Sequence, residues 1–216
     1  MARHFALLAA FCCLNYVTAQ QNAVVNVDIY YESLCPDSIY FITKELAPVY
    51  DELKSFMRVN LVPFGKASWV LGDRRRPTEF QCQHGPSECY GNKAQACALY
   101  AIQQSTTGEQ QQHQSVKVVN CIMSSRYPAR ATAQCAQDNG LSQQSLDVLK
   151  NCMRGDLGDQ LLINMGERTK AFESRISFVP SIAINGVKNP SAFRNFARVV
   201  CNEIPQDQRP EVCRHV

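Results

Sequence analysis

Ser33-Leu34-Cys35-Pro36-Asp37-Ser38 puts one cysteine between an apolar run and a helical pattern. Before it, Val24-Val25-Asn26-Val27-Asp28-Ile29-Tyr30-Tyr31 is β-branched and aromatic enough for a buried strand. After it, Ile39, Ile42, Leu46, Val49 and Leu53 recur at three- and four-residue steps, which predicts an amphipathic helix. Cys35 therefore falls at the helix start, with Pro36 in the first turn, where a missing N–H is harmless. Unpaired backbone donors and the positive end of the helix dipole favour a thiolate there over a thiol. Asp37, beside it, acts the other way.

A strand, a Cys-x-x and a helix in that order form the thioredoxin-type arrangement, in which a second cysteine three residues on attacks the mixed disulfide and releases the product. Ser38 holds that position. Its hydroxyl can donate to the Cys35 sulfur but takes no part in thiol–disulfide exchange. Cys35 and Ser38 are thus the candidate catalytic pair, a nucleophile without a resolver. The plainer reading of Cys35 is a buried structural cysteine.

The chain of 216 residues opens with Arg3 and His4, an apolar run from Phe5 to Leu14, and Val17-Thr18-Ala19 ahead of Gln20. This is the pattern of a secretory signal peptide, residues 1–19, cleaved after Ala19. No later stretch approaches the roughly 20 apolar residues of a membrane helix, so the expected product is secreted, with no membrane span. Without Cys12 and Cys13, nine of the 11 cysteines remain. An odd number in an oxidising compartment implies a free thiol or an intermolecular bridge. The simplest pairing joins Cys82, Cys89, Cys97, Cys121, Cys135, Cys152, Cys201 and Cys213 in disulfides and leaves Cys35 free. Eight cysteines allow about 105 connectivities; Cys201 with Cys213, flanking the last loop, is the one pair singled out. None of the later cysteines has the Cys-x2-4-Cys spacing that structural zinc favours, so neither a metal nor a cofactor is expected.

A net charge of +3, one less without Arg3, is too mild for a nucleic-acid partner. Arg74-Arg75-Arg76 is the one concentrated basic run and reads as a solvated loop rather than a docking site for an acidic partner. No Asn-x-Ser/Thr sequon occurs, because Asn189 is followed by proline, so no N-glycan and no glycan-dependent sorting is encoded.

Along the chain, Met57 to Phe64 reads as a second strand, and Gly65 to Pro77 as a loop in which Trp69 is a packing anchor. Gln-rich Ser105 to Ser115 reads as a mobile connection between helices. Helices are predicted over Val116 to Ser125, Gln143 to Met153, Asp156 to Phe172 and Pro190 to Val200. Ile182 and Ile184 alternate ahead of Asn185-Gly186, a strong hairpin signal.

Between these elements, Cys82-Gln83-His84-Gly85-x2-Glu88-Cys89-x2-Asn92-x4-Cys97 resembles the signature of the gamma-interferon-inducible lysosomal thiol reductases, the GILT family. The resemblance covers nearly the whole chain after the signal. It implies a thioredoxin-like α/β core, residues 20–77 and 175–216, interrupted by a helical, cysteine-rich, disulfide-bonded insertion over 78–174. It also implies that Val179-Pro180 is cis, lies against Cys35 and offers the Val179 backbone to an extended substrate. His84 belongs to the signature and is read as ordering the Gly85-Pro86 turn rather than as a catalytic group. Ser38 departs from the family pattern where its reductases carry their second cysteine.

Two functions compete. The expectation favoured is a secreted, weak or inactive dithiol reductase that binds protein or peptide partners, in the immune or host–microbe setting that the resemblance implies; it implies lysosomal residence as well. Its rival is a monothiol reductase, in which Cys35 attacks a substrate disulfide and a small external thiol such as glutathione resolves the product.

Overall fold

A computed structural model describes residues 24–73 and 77–216; the expected signal peptide, residues 1–19, and Arg74-Arg75-Arg76 lie outside the described residues. Strand β1, Val25–Tyr31, turns Val25, Val27, Ile29 and Tyr31 to one face and Tyr30 to the other, and all five are buried. A strand covered on both faces belongs at the centre of its sheet.

From Cys35 the chain enters α1, Pro36–Tyr40, which continues through a π-helical stretch, Phe41–Leu46, into α2, Ala47–Leu53. The sequence predicts one regular helix here, and the difference has a cause in Pro48. A proline inside a helix cannot donate and its ring collides with the preceding turn. The widened turn accommodates it, with Ala47 N–H reaching back to the Ile42 carbonyl.

β2, Met57–Pro63, pairs in parallel with β1, from Val25 opposite Met57 to Tyr31 opposite Pro63. The stretch expected to be a plain loop instead holds β3, Ser68–Val70, paired antiparallel with β4, Glu79–Gln81. Trp69 lies on β3, edge-on to Phe64 at 5.5 Å, with the Lys170 ammonium 3.6 Å above its ring.

Five helices follow: α3, Pro86–Ser105; α4, Gly108–Ser124; α5, Pro128–Asp138; α6, Gln143–Arg154; and α7, Asp156–Phe172. Two differ from the sequence reading. The Gln-rich connection is the first half of α4, because Gln112 is pinned: its side-chain oxygen accepts the Val59 N–H at 2.8 Å, and its amide donates to the Met57 carbonyl at 3.2 Å. Helix α5 was not expected, although Pro128 at its first position and the alanines after it favour one.

The chain returns as β5, Ser181–Ile184, antiparallel to β1, and turns through Asn185 and Gly186 into β6, Val187–Lys188. Both turn residues have positive φ, as a tight hairpin with the right-handed twist requires. The closing helix is broken: a 3-10 turn, Pro190–Phe193, capped by the Asn189 side chain, precedes α8, Phe196–Glu203.

The sheet order β2-β1-β5-β6, with a helical crossover between parallel β1 and β2 and a cis peptide at Val179-Pro180 ahead of β5, is a thioredoxin-like α/β core, and α3 to α7 form its disulfide-bonded helical insertion. One face of the sheet packs on Phe41, Ile42, Leu46, Leu53, Phe196 and Val200. The insertion reaches that core too, through Val116, Val119 and Met123 of α4. A second core, around Cys97, Ile102, Val118, Ile122, Leu146 and Leu149, lies within the helices themselves.

Candidate functional site

Residues 32–35 leave the C-terminal end of β1, where no strand hydrogen bond remains to hold them, so their backbone groups need side-chain partners. Cys35 is the residue before α1 and has extended dihedrals, with Pro36 first in the helix; its carbonyl accepts the Ile39 N–H at 3.0 Å. Its thiol lies 3.6 Å from the Val179 carbonyl oxygen, across the cis Val179-Pro180 bond. The site is nearly closed, with Cys35 9% and Val179 3% exposed and Pro180 buried.

Ser38 is fully buried, and its hydroxyl oxygen accepts the Glu32 N–H at 3.2 Å. From the sequence, this hydroxyl is able to donate to the Cys35 sulfur. In the structure the buried amide of Glu32 occupies its oxygen, and the thiol's polar contact is the Val179 carbonyl.

The signature stretch grips the same loop from behind. Ser33 N–H donates to the Asn92 side-chain oxygen at 2.8 Å, and Ser33 Oγ donates to the Glu88 carbonyl at 3.1 Å. Gly91 gives α3 this close approach, since a Cβ there would collide with Ser33 Oγ. Two residues before Ser33, at the end of β1, the Tyr31 hydroxyl donates to Gln95 at 2.6 Å, and burial holds its pKa well above the ordinary phenol value.

His84 lies in the tight turn closed by the Cys82–Cys89 disulfide, ahead of Gly85, whose φ is +79°. Its N–H donates to Glu88 Oε1 at 3.0 Å, and its Nδ1 is 2.6 Å from Glu88 Oε2. A glutamate that reaches back over a helix start in this way resembles a capping box. The same Nδ1 is 3.5 Å from Glu32 Oε2. Burial pushes the Glu32 carboxyl above its usual range; the Lys66 N–H on Oε1 opposes this, the Glu88 carboxylate adds to it, and His84 opposes it. His84 does order its turn, and it does so by joining two buried carboxylates.

Sequence reading named His84 and quoted Glu88 and Asn92, but missed Glu32, Ser33, Gly91 and Gln95 as their counterparts. The spacing of His84 and Glu88 was visible; the return of α3 to the end of β1 was not.

Beside Val179, Phe178 is 43% exposed and meets Phe193 edge-on at 5.3 Å. The Arg194 guanidinium covers Tyr40 at 4.4 Å and Phe193 at 4.7 Å. Tyr40, Phe193, Phe178 and Arg194 thus form one aromatic cluster with a cation, joined to the site through Phe178, the residue before Val179.

Among the described residues the other cysteines pair as Cys82–Cys89, Cys97–Cys152, Cys121–Cys135 and Cys201–Cys213, and Cys35 is free. Such bridges fit an extracellular or lumenal protein. No helix among the described residues is long and apolar enough to cross a membrane. Alkylation of the native, unreduced protein should label one thiol, Cys35; label on Cys121 or Cys213 in peptide mapping would refute this assignment.

The sequence matches the family described as gamma interferon inducible lysosomal thiol reductase over residues 26–139. It is 34% identical over 223 residues to GILT-like protein 1 of Drosophila melanogaster, covering 95% of this chain and 86% of that one. To the gamma-interferon-inducible lysosomal thiol reductase-like protein of Anopheles gambiae it is 37% identical, over 77% of this chain and 70% of that one. Among solved structures, MdbA, a thiol-disulfide oxidoreductase from Corynebacterium diphtheriae, is similar over 82% of each chain at 14% identity, with a TM-score of 0.46. A family match over more than half of the sequence, and a relative alike along almost all of it, lead to one conclusion: the chain belongs to the gamma-interferon-inducible lysosomal thiol reductase (GILT) family.

Proposed function

We propose that this protein is a secreted GILT-family member that is weak or inactive as a dithiol reductase and acts by engaging protein or peptide partners, in the immune or host–microbe setting its family implies. Cys35 is the nucleophile, and Val179 and Pro180 border the strand-like substrate. The observation that carries the reading is the pairing of all other cysteines after the signal segment while Ser38 fills the resolving position. The Cys35 thiolate attacks one sulfur of a partner disulfide, forming a mixed disulfide and releasing the other sulfur as a thiolate that takes up a proton. With no second thiol nearby, the adduct persists. The aromatic cluster of Tyr40, Phe178 and Phe193 supports binding of an apolar segment of the partner.

Incubation with insulin, followed by non-reducing mass spectrometry, tests this. Wild type should accumulate an adduct reversible by dithiothreitol, with little turnover. Cys35→Ala should form none, while its melting temperature stays within about 2 °C of wild type, because a free thiol at a helix start contributes no cross-link. Sustained turnover with millimolar glutathione would instead establish the monothiol reductase, whose support is the thiol seated against the cis-proline. A melting temperature that falls as far as for Cys201→Ala would make Cys35 structural and end both readings.

A further inference from the structure

We propose that Glu32, His84 and Glu88 form a binding site for one divalent cation of the Zn2+ type, held behind the reactive loop. It is independent of the chemistry of Cys35 and goes beyond the proposed function. Sequence reasoning looked for metal among the cysteines; the candidate donors are two carboxylates and an imidazole.

One ligand atom from each of the three residues lies within 4.8 Å of the other two. Both carboxylate side chains are fully buried, whereas the His84 side chain is 32% exposed. Glu32 is held firmly on one side: Oε1 accepts the Lys66 N–H at 2.7 Å, and Gly65 has no room for a side chain against it. Its second oxygen, Oε2, is buried with no hydrogen-bond partner and faces His84 Nδ1 at 3.5 Å. A buried carboxylate oxygen without a donor is costly to leave so.

A divalent cation resolves this. Two carboxylates balance its charge, and the imidazole supplies the nitrogen that favours zinc over magnesium or calcium. Zinc–ligand bonds of about 2.0–2.2 Å put ligand atoms somewhat more than 3 Å apart. His84 and Glu32 already have that spacing, and the Glu88 oxygen, 2.6 Å from Nδ1, has to withdraw by a fraction of an ångström. The ion would take the place of the proton that His84 now shares with Glu88, and a water entering past His84 would complete four-coordination. The Cys82–Cys89 bridge fixes the turn that carries the imidazole.

The test uses the mature protein with Cys35 alkylated, so that the thiol is not a ligand, titrated with Zn2+ by calorimetry. One equivalent should bind, and His84→Ala and Glu32→Gln should each weaken it by at least about tenfold. His113→Ala, which removes a histidine beside Asp51, should leave it unchanged. Absence of saturable binding tighter than about 0.1 mM, or undiminished binding by either variant, overturns the proposal and leaves a cluster held by protons alone. Should Glu32→Gln fail to form its four disulfides, His84→Ala, at a partly exposed position, decides the matter.

Discussion

Ser38→Cys should raise disulfide reduction by at least about tenfold over wild type, since attack by the resolving thiol becomes intramolecular and no longer waits for a thiol from solution. The geometry supports this: Cys35 immediately precedes α1, its sulfur is 3.6 Å from the Val179 carbonyl, and the signature residues hold Ser33 from behind. Ser38 also carries a structural duty, because its oxygen accepts the buried Glu32 N–H. Sulfur is a weaker acceptor, so the variant should lose some stability while gaining turnover. Ser38→Ala is the control; it orphans the same amide at a cost of about 1–3 kcal/mol without supplying a thiol. An insulin reduction assay at mildly acidic and neutral pH reads the outcome. If Ser38→Cys shows two titratable thiols after reduction and yet no gain in rate, the substrate groove itself has diverged, and partner binding stands without a covalent step.

Loss of the Cys97–Cys152 bridge should be the most damaging disulfide deletion. It joins α3 to α6 across a sequence separation of 55, against 7 for Cys82–Cys89. Chain entropy alone makes the first worth about 4 kcal/mol and the second about 2. For a chain of this length, 4 kcal/mol corresponds to a melting temperature lower by about 10 °C. Alanine is the replacement of choice, since both sulfurs are buried in the helical core with Ile102 and Leu149 and serine would bury a hydroxyl there. A Cys97→Ala/Cys152→Ala protein that melts within about 2 °C of wild type would show that side-chain packing holds the bundle without the bridge.

What could be read from sequence was what lies close in sequence. Cys35 before a proline and an apolar repeat, and Asn185-Gly186 after alternating isoleucines, each announce their conformation within a few residues, whereas the cis Val179-Pro180 bond was expected only through the family resemblance. Elements decided by distant partners were not legible. Gln112 looks like linker composition until the Val59 amide is seen to need its side-chain oxygen. Strands β3 and β4, at three residues each, are too short for alternation to register, and they exist because each pairs with the other. Pro48 was present in plain view, but its remedy, a widened turn, depends on how the preceding six residues pack. Glu32 lies far from His84 in sequence, and only the path of α3 past the end of β1 brings them together.

The presence of α4 side chains in the sheet's own core bears on the order in which the protein can be made. A chain made from its N-terminus presents β1 and β2 early, yet their apolar face is not closed until Val116, Val119 and Met123 have emerged. The other edge of β1 waits longer still, for Ile182 and Ile184 of β5 near the end of synthesis. Throughout that interval a hydrophobic parallel strand pair lies open, with the unpaired Cys35 at its tip. Exposed apolar surface of this kind makes a growing chain prone to association, and until the fold closes over it the Cys35 thiol is free to form bonds with the wrong neighbours.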